Sequence, residues 1–390
     1  MVEAVIVDAV RTPVGRRKGA LKNTHPVDLL GHVLKQLVER NGIDPALVDD
    51  VIVGCVDQIG EQAANIGRNA WLSAGLPESV PATTLDRQCG SSLQAAHFAA
   101  QGVMAGAYDL VIAGGVEAMT RVPMLSTIQS YGTPLTEDLK RRYDLQAPWF
   151  DQAVGAERIA RQWGFSRADL DAYSYQSHQR AGAARAAGRF NNEIVPVQVR
   201  TDGGETVWFD ADEGIRLDTT LEKMAALAPA FPGLERITAG NASQISDGAS
   251  AVLIASKETA ARLGLKPRAR FVSFSVVGVD PVTMLTGPIP ATKKALQRAG
   301  LNVSDIDLFE VNEAFASVVL AWQRETNAPF HRVNVHGGAI ALGHPLGATG
   351  TRILSTLVNA LEQHDKRYGL VAICEGGGMA NATIIERLDG

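Results

Sequence analysis

Two stretches of the chain share one pattern that decides the fold. The first reads DPALVDDVIVG (44–54), TTLDRQCGSSLQAAHFAAQGVMAG (83–106) and AYDLVIAGGVEAM (107–119); the second reads NVSDIDLFEVN (302–312), NVHGGAIALGHPLGATGTRILSTLVNAL (334–361) and RYGLVAICEGGGM (367–379). Each holds a strand-like run, a glycine-containing turn with a helix, and a strand that runs into glycines and a methionine. Because these features recur in the same order, they favour an internal duplication over the chance likeness of any α/β chain.

Apolar runs predict buried strands separated by helices along the rest of the chain. Alternation of this kind is typical of an α/β fold with buried sheets. The predicted strands are 2–10, 50–56, 110–113, 251–255, 271–279, 306–311, 370–374 and 382–386, and the predicted helices include 26–42, 91–106 and 350–363.

The segment from about 120 to 242 differs from both repeats. It holds most of the basic and aromatic residues outside the predicted sheets. Ser166–Asp169 (SRAD) resembles the capping box of a helix that runs to about Gly188. We interpret the segment as an inserted lid or ligand-binding loop domain.

Composition excludes several classes of protein. The chain has 390 residues, 46% of them hydrophobic, and a net charge of −5. Such a chain can bury a sizeable core, and it lacks both the polarity of a disordered protein and the basic excess of a nucleic-acid binder. A polyanionic ligand would therefore need locally placed arginines. Three cysteines are too few for a disulfide framework, which indicates a reducing compartment.

The opening MVEAVIVDAVRTPVGRRKG (1–19) places its positive charges after a short apolar run, the reverse of a secretory signal. No apolar run reaches the ~18 residues of a membrane helix, and the final ERLDG (386–390) is neither a lipidation nor a peroxisomal signal. We expect a cytoplasmic protein that does not enter a membrane.

Cys89 lies where a strand-like run ends and a predicted helix begins. A helix N-terminus favours a thiolate, and the small residues Gly90, Ser91 and Ser92 would let a substrate approach the sulfur. The residues alone leave a catalytic nucleophile and a buried structural cysteine open. Cys55, inside a Val-rich run, is better interpreted as core.

His344 lies in a glycine-dense turn that opens a helix, where an imidazole can be presented to a ligand. A satisfied structural histidine remains the alternative. The turn lacks the ending of a phosphate loop, and the spacing of His331, His336 and His344 argues against a metal site.

Cys374 and Asn312 each end a predicted strand, and such ends face the ligand crevice of α/β proteins. The alternatives are a core cysteine for Cys374 and a helix N-cap for Asn312, with Glu313 as a first-turn acid.

Together these segments resemble the thiolase family. The resemblance rests on DRQCGSS (86–92), GNASQISDG (240–248), GGAIA (337–341), NEAF (312–315), GHP (343–345) and CEG (374–376). Each motif is weak alone, but the complete set in family order is specific, and the likeness covers essentially the whole chain. The rivals fit less well: β-ketoacyl synthases carry a second histidine where Asn312 stands here, and a dinucleotide-dependent oxidoreductase needs a glycine fingerprint that Arg11–Gly15 lacks. A non-catalytic acyl-CoA-binding protein would be expected to have lost Cys89, His344 or Cys374.

The resemblance implies a five-layered α-β-α-β-α duplication of two similar halves, each with a five-stranded sheet, and an inserted loop domain that covers coenzyme A. We expect residues 1–119 and 243–265 to form the N-terminal half, 120–242 the inserted loop domain and 266–390 the C-terminal half. It also implies a homodimer, often paired into a homotetramer, and leaves room for a β-oxidation partner subunit.

The resemblance further implies a role for each site residue. Cys89 would be the nucleophile that carries the acyl group, His344 its base, and Cys374 the acid–base group that exchanges a proton with the α-carbon. Asn312 would hold a water that, with His344, stabilises an enolate oxygen. The backbone N–H groups of Cys89 and Gly376 would form a second oxyanion hole.

Coenzyme A would be a substrate or product rather than a tightly bound cofactor, contacted by Arg216 and Ser243. The expected reaction is thiolysis of a 3-ketoacyl-CoA to acetyl-CoA (or propionyl-CoA) and a shortened acyl-CoA, by a reversible ping-pong Claisen chemistry. Biosynthetic acetoacetyl-CoA formation is the alternative. It is disfavoured because Asp151-Gln152 stands where acetoacetyl-specific members carry His-Met, and because Gln244-Ile245 also resembles degradative members. His336 stands where many members have Asn.

Overall fold

The computed structural model describes residues 2–129, 132–145 and 149–389. In these residues the strands are β1 (Ala4–Arg11), β2 (Gly15–Arg16), β3 (Asp50–Gly54), β4 (Ala82–Leu85), β5 (Leu110–Ala118), β6 (Val197–Arg200), β7 (Thr206–Phe209), β8 (Ser246–Ser256), β9 (Ala269–Gly278), β10 (Leu308–Val311), β11 (Tyr368–Glu375) and β12 (Met379–Arg387).

The α-helices in the same residues are α1 (Pro26–Asn41), α2 (Ile66–Ser73), α3 (Ser91–Met104), α4 (Ser126–Gln129), α5 (Glu137–Tyr143), α6 (Gln152–Gln162), α7 (Arg167–Ala186), α8 (Leu221–Ala225), α9 (Lys257–Arg262), α10 (Pro288–Ala299), α11 (Ala316–Thr326), α12 (Ala339–Leu342) and α13 (Thr349–Gln363). A short 3₁₀ helix, Leu346–Ala348, precedes α13. No helix in the described ranges combines the length and apolar character needed to cross a membrane.

The long sheet runs in the order β10-β11-β12-β9-β1-β8-β5-β3-β4, and β2 pairs with β8. Strand β3 is parallel to both β4 and β5, and β10 is parallel to β11. The two halves of the sheet meet at β1 and β9, where the register contains only the pairs Val5–Arg270 and Ile6–Ala269. The strands therefore form two groups, and each group contains the strands of one repeat of the sequence.

Three hydrophobic cores arrange these elements as five layers. One core joins the β1/β8/β5/β3 group to α1 and α2, and another joins the second group to α10 and α11. Between them a third core contains α3, α13 and strand residues of both halves. The order α-β-α-β-α follows, which confirms the fold class predicted from the sequence.

The second half departs from five full strands. Where the first half has β4 beside β3, the second has only a single parallel bridge between Phe309 and Val333. Asn334 directly after it has a left-handed φ of 47°, which ends the extended backbone. The fifth strand is thus reduced to one residue.

Glycines explain one large error in a predicted strand boundary. The sequence places the end of β5 at Ala113, before a glycine pair, but the strand continues to Ala118. A Cβ at Gly115 would overlap the Gly347 carbonyl. This glycine therefore lets the backbone of Gly347 approach the strand closely, and it does not mark a turn. By contrast, the capping box at Ser166 and Asp169 is present, and it opens α7.

Candidate active site

Cys89 lies in a tight turn between β4 and α3. The preceding residue, Gln88, has a φ of 49°, a left-handed conformation that is uncommon for a residue other than glycine. Its backbone N–H donates to Asp86 Oδ1 at 2.6 Å, and its carbonyl accepts from Ser91 Oγ at 2.6 Å. These bonds fix the backbone directly before the thiol and place the sulfur at the start of the helix.

Close contact joins this turn to the end of β11. A Cβ at Gly90 would overlap Glu375 Oε1 and would lie 2.8 Å from Asn381 Nδ2. Asn381 Nδ2 also donates to the Gly90 carbonyl at 3.0 Å. Only glycine allows this approach, which brings the segment of Cys89 against the strand that carries Cys374.

Both thiols are buried and resist ionisation. Cys89 is 3% exposed, and burial, followed by the charge of Glu375, raises its pKa to about 12. Burial and then the charge of Cys89 raise the pKa of Cys374 well above its usual value. The prediction that the helix N-terminus would favour a Cys89 thiolate is wrong for this structure, because burial outweighs the helix dipole. Both residues are neutral thiols at neutral pH, and their sulfurs interact electrostatically.

The hydrogen bonds of His344 select one tautomer. Its Nδ1 lies 2.6 Å from Thr349 Oγ1, and that hydroxyl donates its proton to the Pro345 carbonyl at 2.8 Å. A hydroxyl has a single proton, so Thr349 accepts from His344 Nδ1–H, and Nε2 is left as an acceptor. We assign the tautomer from this network.

The surroundings of His344 also set its charge. Burial, with a further contribution from the charge of Arg352, lowers its pKa to about 3. Its backbone N–H is held by Ser246 Oγ at 3.1 Å and by the Gln244 carbonyl at 3.2 Å. The site therefore presents a neutral imidazole on a fixed backbone, with Nε2 able to accept a proton.

The Asn312 side chain lies beside that nitrogen. Its Nδ2 lies 3.5 Å from His344 Nε2, and its buried Oδ1 has no hydrogen-bond partner in the part of the chain that the structure describes. Helix α11 begins at Ala316 with Phe315 as its N-cap, so the alternative of Asn312 as a helix cap is wrong. The free amide oxygen could hold a water or a substrate group beside the imidazole.

Glu313 has a structural role next to Asn312. Its carboxylate accepts from Tyr173 Oη and Ser177 Oγ, each at 2.7 Å, and from the Ile340 N–H at 3.0 Å. These bonds connect the end of β10 to α7 and α12. Glu313 thus fixes the position of Asn312, although the sequence suggested only a first-turn acid.

Gly376 lies in the hairpin between β11 and β12, close to the turn of Cys89. A Cβ at Gly376 would stand 2.7 Å from Gln88 Oε1. The two residues whose backbone N–H groups the sequence pairs in an oxyanion hole, Cys89 and Gly376, therefore belong to facing segments.

Arg216 lies in a pocket of the segment between β7 and β8. The pocket is lined by His178, Arg216, Asp218, Thr219, Lys223, Met224, Leu227 and Gly240. The Arg216 N–H donates to His178 Nδ1 at 3.1 Å. Ser243 is not among the lining residues; its N–H donates to the Ala314 carbonyl at 2.9 Å, close to Asn312. The structure thus places Arg216 and Ser243 in different surroundings.

Three residues of the site were missed by reasoning from the sequence: Thr349, Ser246 and Glu375. Thr349 offered a signal, since it is a hydroxyl residue at the first position of the helix that follows the histidine turn. The other two act through contacts between distant segments, which no local pattern indicates. Cys55 is buried in the first-half core, as expected, and its Sγ lies 3.8 Å from Glu117 Oε1.

Comparisons with known proteins find similar sequences and a similar structure along the whole chain. Residues 4–258 match the family model described as "Thiolase, N-terminal domain", and residues 265–387 match "Thiolase, C-terminal domain". The chain is 53% identical to the steroid 3-ketoacyl-CoA thiolase FadA6 of Mycobacterium tuberculosis, over 100% of this chain and 95% of that protein. It is 44% identical to the 3-ketoacyl-CoA thiolase of Bacillus subtilis, over 99% of this chain and 100% of that protein. The crystal structure of the Bacillus anthracis acetyl-CoA acetyltransferase has a TM-score of 0.92 and 39% identity, and the match covers 100% of this chain and 99% of that one.

Proposed function

Because the chain belongs to the thiolase family, we propose that it cleaves a 3-ketoacyl-CoA by thiolysis, releasing acetyl-CoA or propionyl-CoA and a shortened acyl-CoA. The observation that carries this proposal is the pairing of two buried, interacting thiols with a neutral imidazole whose Nε2 is unprotonated. One thiol can form a thioester, while the other donates a proton to a carbon atom of the substrate or accepts one from it.

The first half-reaction breaks the carbon–carbon bond. Cys89 gives its proton to His344 Nε2 as its sulfur attacks the 3-keto carbon, because the neutral thiol is a weak nucleophile. The bond between C2 and C3 then breaks, and its electron pair forms the enolate of the departing acyl-CoA. Cys374 donates its proton to C2, which leaves acyl-Cys89, protonated His344 and a Cys374 thiolate.

The second half-reaction restores the enzyme. The thiol of a free coenzyme A gives its proton to the Cys374 thiolate, and its sulfur attacks the acyl-Cys89 carbonyl. The Cys89 sulfur leaves and takes back the proton from His344. All protons are accounted for, and reversal of the same steps is a Claisen condensation.

Two groups of donors stabilise the developing negative charges. The enolate oxygen accepts hydrogen bonds from two donors: His344 Nε2–H, whose proton was taken up in the first step, and a water held by Asn312. The tetrahedral intermediates at Cys89 are met by the backbone N–H groups of Cys89 and Gly376. Donors fixed before the reaction contribute most to such steps.

The inserted segment is proposed to bind coenzyme A. Arg216, in its pocket, supplies positive charge for the phosphates of the nucleotide end, and Ser243, near Asn312, contacts the pantetheine arm. This assignment retains residues 120–242 as the inserted loop domain between the halves 1–119 with 243–265 and 266–390. Coenzyme A acts as a substrate, with no tightly bound cofactor.

The Arg216 assignment is tested by Arg216→Ala. We expect about a tenfold higher KM for coenzyme A with little change in kcat, because a lost phosphate contact weakens ground-state binding. Arg185→Ala, an exposed arginine in the last turn of α7, is the control. An unchanged KM in Arg216→Ala would contradict the assignment.

We also propose that the protein is a cytoplasmic homodimer, or a tetramer made of two dimers, and that it acts in β-oxidation, with a partner subunit for the preceding steps as a further possibility to test. The names of the relatives support the part in β-oxidation, while the oligomeric state, the location and the partner subunit rest on the resemblance to the family.

The degradative direction is preferred over acetoacetyl-CoA synthesis. Two relatives are named 3-ketoacyl-CoA thiolases, although the solved structure is named an acetyl-CoA acetyltransferase. Asp151, which stands where acetoacetyl-specific members carry histidine, is the N-cap of α6 and accepts from the Ala153 N–H at 2.8 Å. It is committed to the helix and cannot substitute for that histidine.

A thiolysis panel tests the proposal. Purified protein is given 3-ketoacyl-CoA substrates from acetoacetyl to long-chain and steroid side-chain compounds, and acyl adducts on the Cys89 peptide are sought by mass spectrometry. We expect a Cys89 adduct and a preference for longer or bulkier substrates. A clear preference for acetoacetyl-CoA would reverse the proposed direction, and an adduct confined to Cys374 would overturn the roles of the cysteines.

A further inference from the structure

Glu117, in β5, is a fully buried carboxylate that the mechanism above does not use. Its Oε1 accepts from the Asp57 N–H at 3.1 Å and from Gln62 Nε2 at 2.7 Å. Its Oε2 accepts from the Val56 N–H at 2.9 Å and from the Gly347 N–H at 2.9 Å. Four N–H groups from three separate segments thus converge on one side chain.

The bond to Gly347 connects Glu117 to the active site. Gly347 lies in the 3₁₀ turn Leu346–Ala348, three positions beyond His344 and two before Thr349. A Cβ at Gly347 would lie 2.6 Å from the Val116 carbonyl and 2.7 Å from Cys55 Cα. The turn therefore packs against β5 and the end of β3, and Glu117 is the acidic side chain that binds its backbone.

We propose that Glu117 is a positioning residue for the thiolase reaction, which holds the His344–Thr349 turn so that His344 Nε2 faces the reacting sulfur. The two ends of the turn are fixed independently. Ser246 and Gln244 hold the His344 N–H, and Glu117 holds the N–H of Gly347, three positions further along the turn. This proposal rests on the proposed role of His344.

A carboxylate is required at this position because every partner of Glu117 is a donor. An amide has one oxygen and one NH₂ group, so either orientation of a glutamine places NH₂ against a backbone N–H: that of Asp57, or those of Val56 and Gly347. Glu117→Gln therefore removes acceptor capacity while it preserves the volume of the side chain. The turn can then shift, and a displacement of about 1 Å at a catalytic base can cost about 10²-fold in rate.

The test compares Glu117→Gln with Glu157→Gln. Glu157 is also buried and binds three consecutive backbone N–H groups (Glu235, Arg236 and Ile237), but it lies in α6 and contacts no part of the histidine turn. We expect Glu117→Gln to lower kcat by about 10- to 100-fold with KM changed by less than about threefold. Glu157→Gln is expected to lower the melting temperature with kcat retained.

Non-additivity of the kcat losses in a double variant is a sharper test of this proposal. If Glu117 acts through His344, the combined variant Glu117→Gln/Thr349→Val loses less kcat than the product of the two single losses, because both release the same imidazole. Multiplicative losses would overturn the proposal, as would a folded Glu117→Gln protein with kcat within twofold of the parent.

A measurement on the unaltered protein keeps the proposal testable if Glu117→Gln does not fold. Hydrogen exchange of the Gly347 amide is expected to be slowed to the same degree as exchange at Val56, which shares the Glu117 Oε2. Rapid exchange at Gly347 with slow exchange at Val56 would contradict the proposal. Failure of the thiolysis panel would instead contradict the proposed function and would leave these structural readouts unaffected.

Discussion

Cys89 and Cys374 occupy equivalent depths in the two halves of the molecule, yet their backbones differ. Cys89 follows a residue with left-handed φ and directly precedes Gly90, the N-cap of α3. Cys374 is part of β11, one residue before the end of that strand, and pairs with Ala380 of β12. A glycine-rich turn joins the two strands. A helix start leaves N–H groups free to meet an oxyanion, whereas a paired strand fixes a side chain and offers no such groups.

The difference indicates why one half supplies the proposed nucleophile and the other the proposed acid–base group. The nucleophile must be approached by a carbonyl carbon whose oxygen also needs donors. The acid–base group needs only a constant position and a thiol that stays protonated until it is used. The turn before α3 therefore suits the proposed nucleophile, and the paired strand β11 suits the proposed acid–base group.

The most severe test of this comparison is Cys89→Ser. We expect thiolysis to fall by at least about 10³-fold and the acyl adduct to disappear, because a serine hydroxyl is far harder to ionise than a thiol in this buried site. Steady-state assays and mass spectrometry of the Cys89 peptide measure both effects. An acyl adduct on the Cys374 peptide of this variant would show that the roles of the two cysteines had been assigned the wrong way round.

Cys374→Ala should separate the two roles. Acyl transfer to Cys89 from a simple acyl thioester needs no proton at carbon, so it should continue, while thiolysis should fall by about 10²–10⁴-fold, the range of general acid–base catalysis. Adduct formation and thiolysis are measured on the same preparation. Normal thiolysis by this variant would contradict the acid–base role proposed for Cys374.

Thr349→Val tests the tautomer of His344. Valine keeps the shape of threonine but cannot accept from Nδ1–H, so we expect kcat to fall by about 10- to 100-fold as the imidazole loses its fixed proton and orientation. Ser355→Ala, in the same helix, removes a comparable buried bond to the Ala9 carbonyl and serves as the control. Equal kcat losses in the two variants would mean that the effect is a general weakening of α13.

The last test measures how the rate of Cys89 alkylation changes with pH, about tenfold at each step of one pH unit. Burial and the charge of Glu375 raise the pKa of Cys89 to about 12, so its thiolate fraction grows as pH rises toward that value. In the Cys374→Ala background, alkylation of Cys89 by iodoacetamide should accelerate by about tenfold per pH unit up to about pH 10. A plateau that begins near pH 7 would show that the helix N-terminus does lower this pKa after all.

The sequence was sufficient where the signal was local. Apolar strands, the duplicated order and the capping box at Ser166 all depend on residues close in the chain, and the structure contains them. Strand β4 was missed because its four residues, ATTL, are only partly buried or exposed and show no apolar run.

The remaining features depend on contacts across the fold. The N-terminal position of Cys89 on a helix is visible in the sequence, but the burial that reverses its expected pKa comes from packing between two halves of the chain. Glu117 and Gly347 are 230 positions apart, and their bond follows from the stacking of layers. Thr349 shows the intermediate case, because it is close to His344 but its proton direction is set by the Pro345 carbonyl.

The central layer of helices has a consequence for engineering. Helices α3 and α13 share a core with strands of both halves, and the segments of Cys89 and His344 lead directly into them. A designer who enlarged the substrate range by trimming side chains there would disturb both proposed catalytic groups at once. The segment around Arg216 lies in the proposed inserted loop domain and contributes nothing to that shared core. Libraries aimed at new acyl-CoA substrates should therefore concentrate their diversity in this segment and leave the interior unchanged.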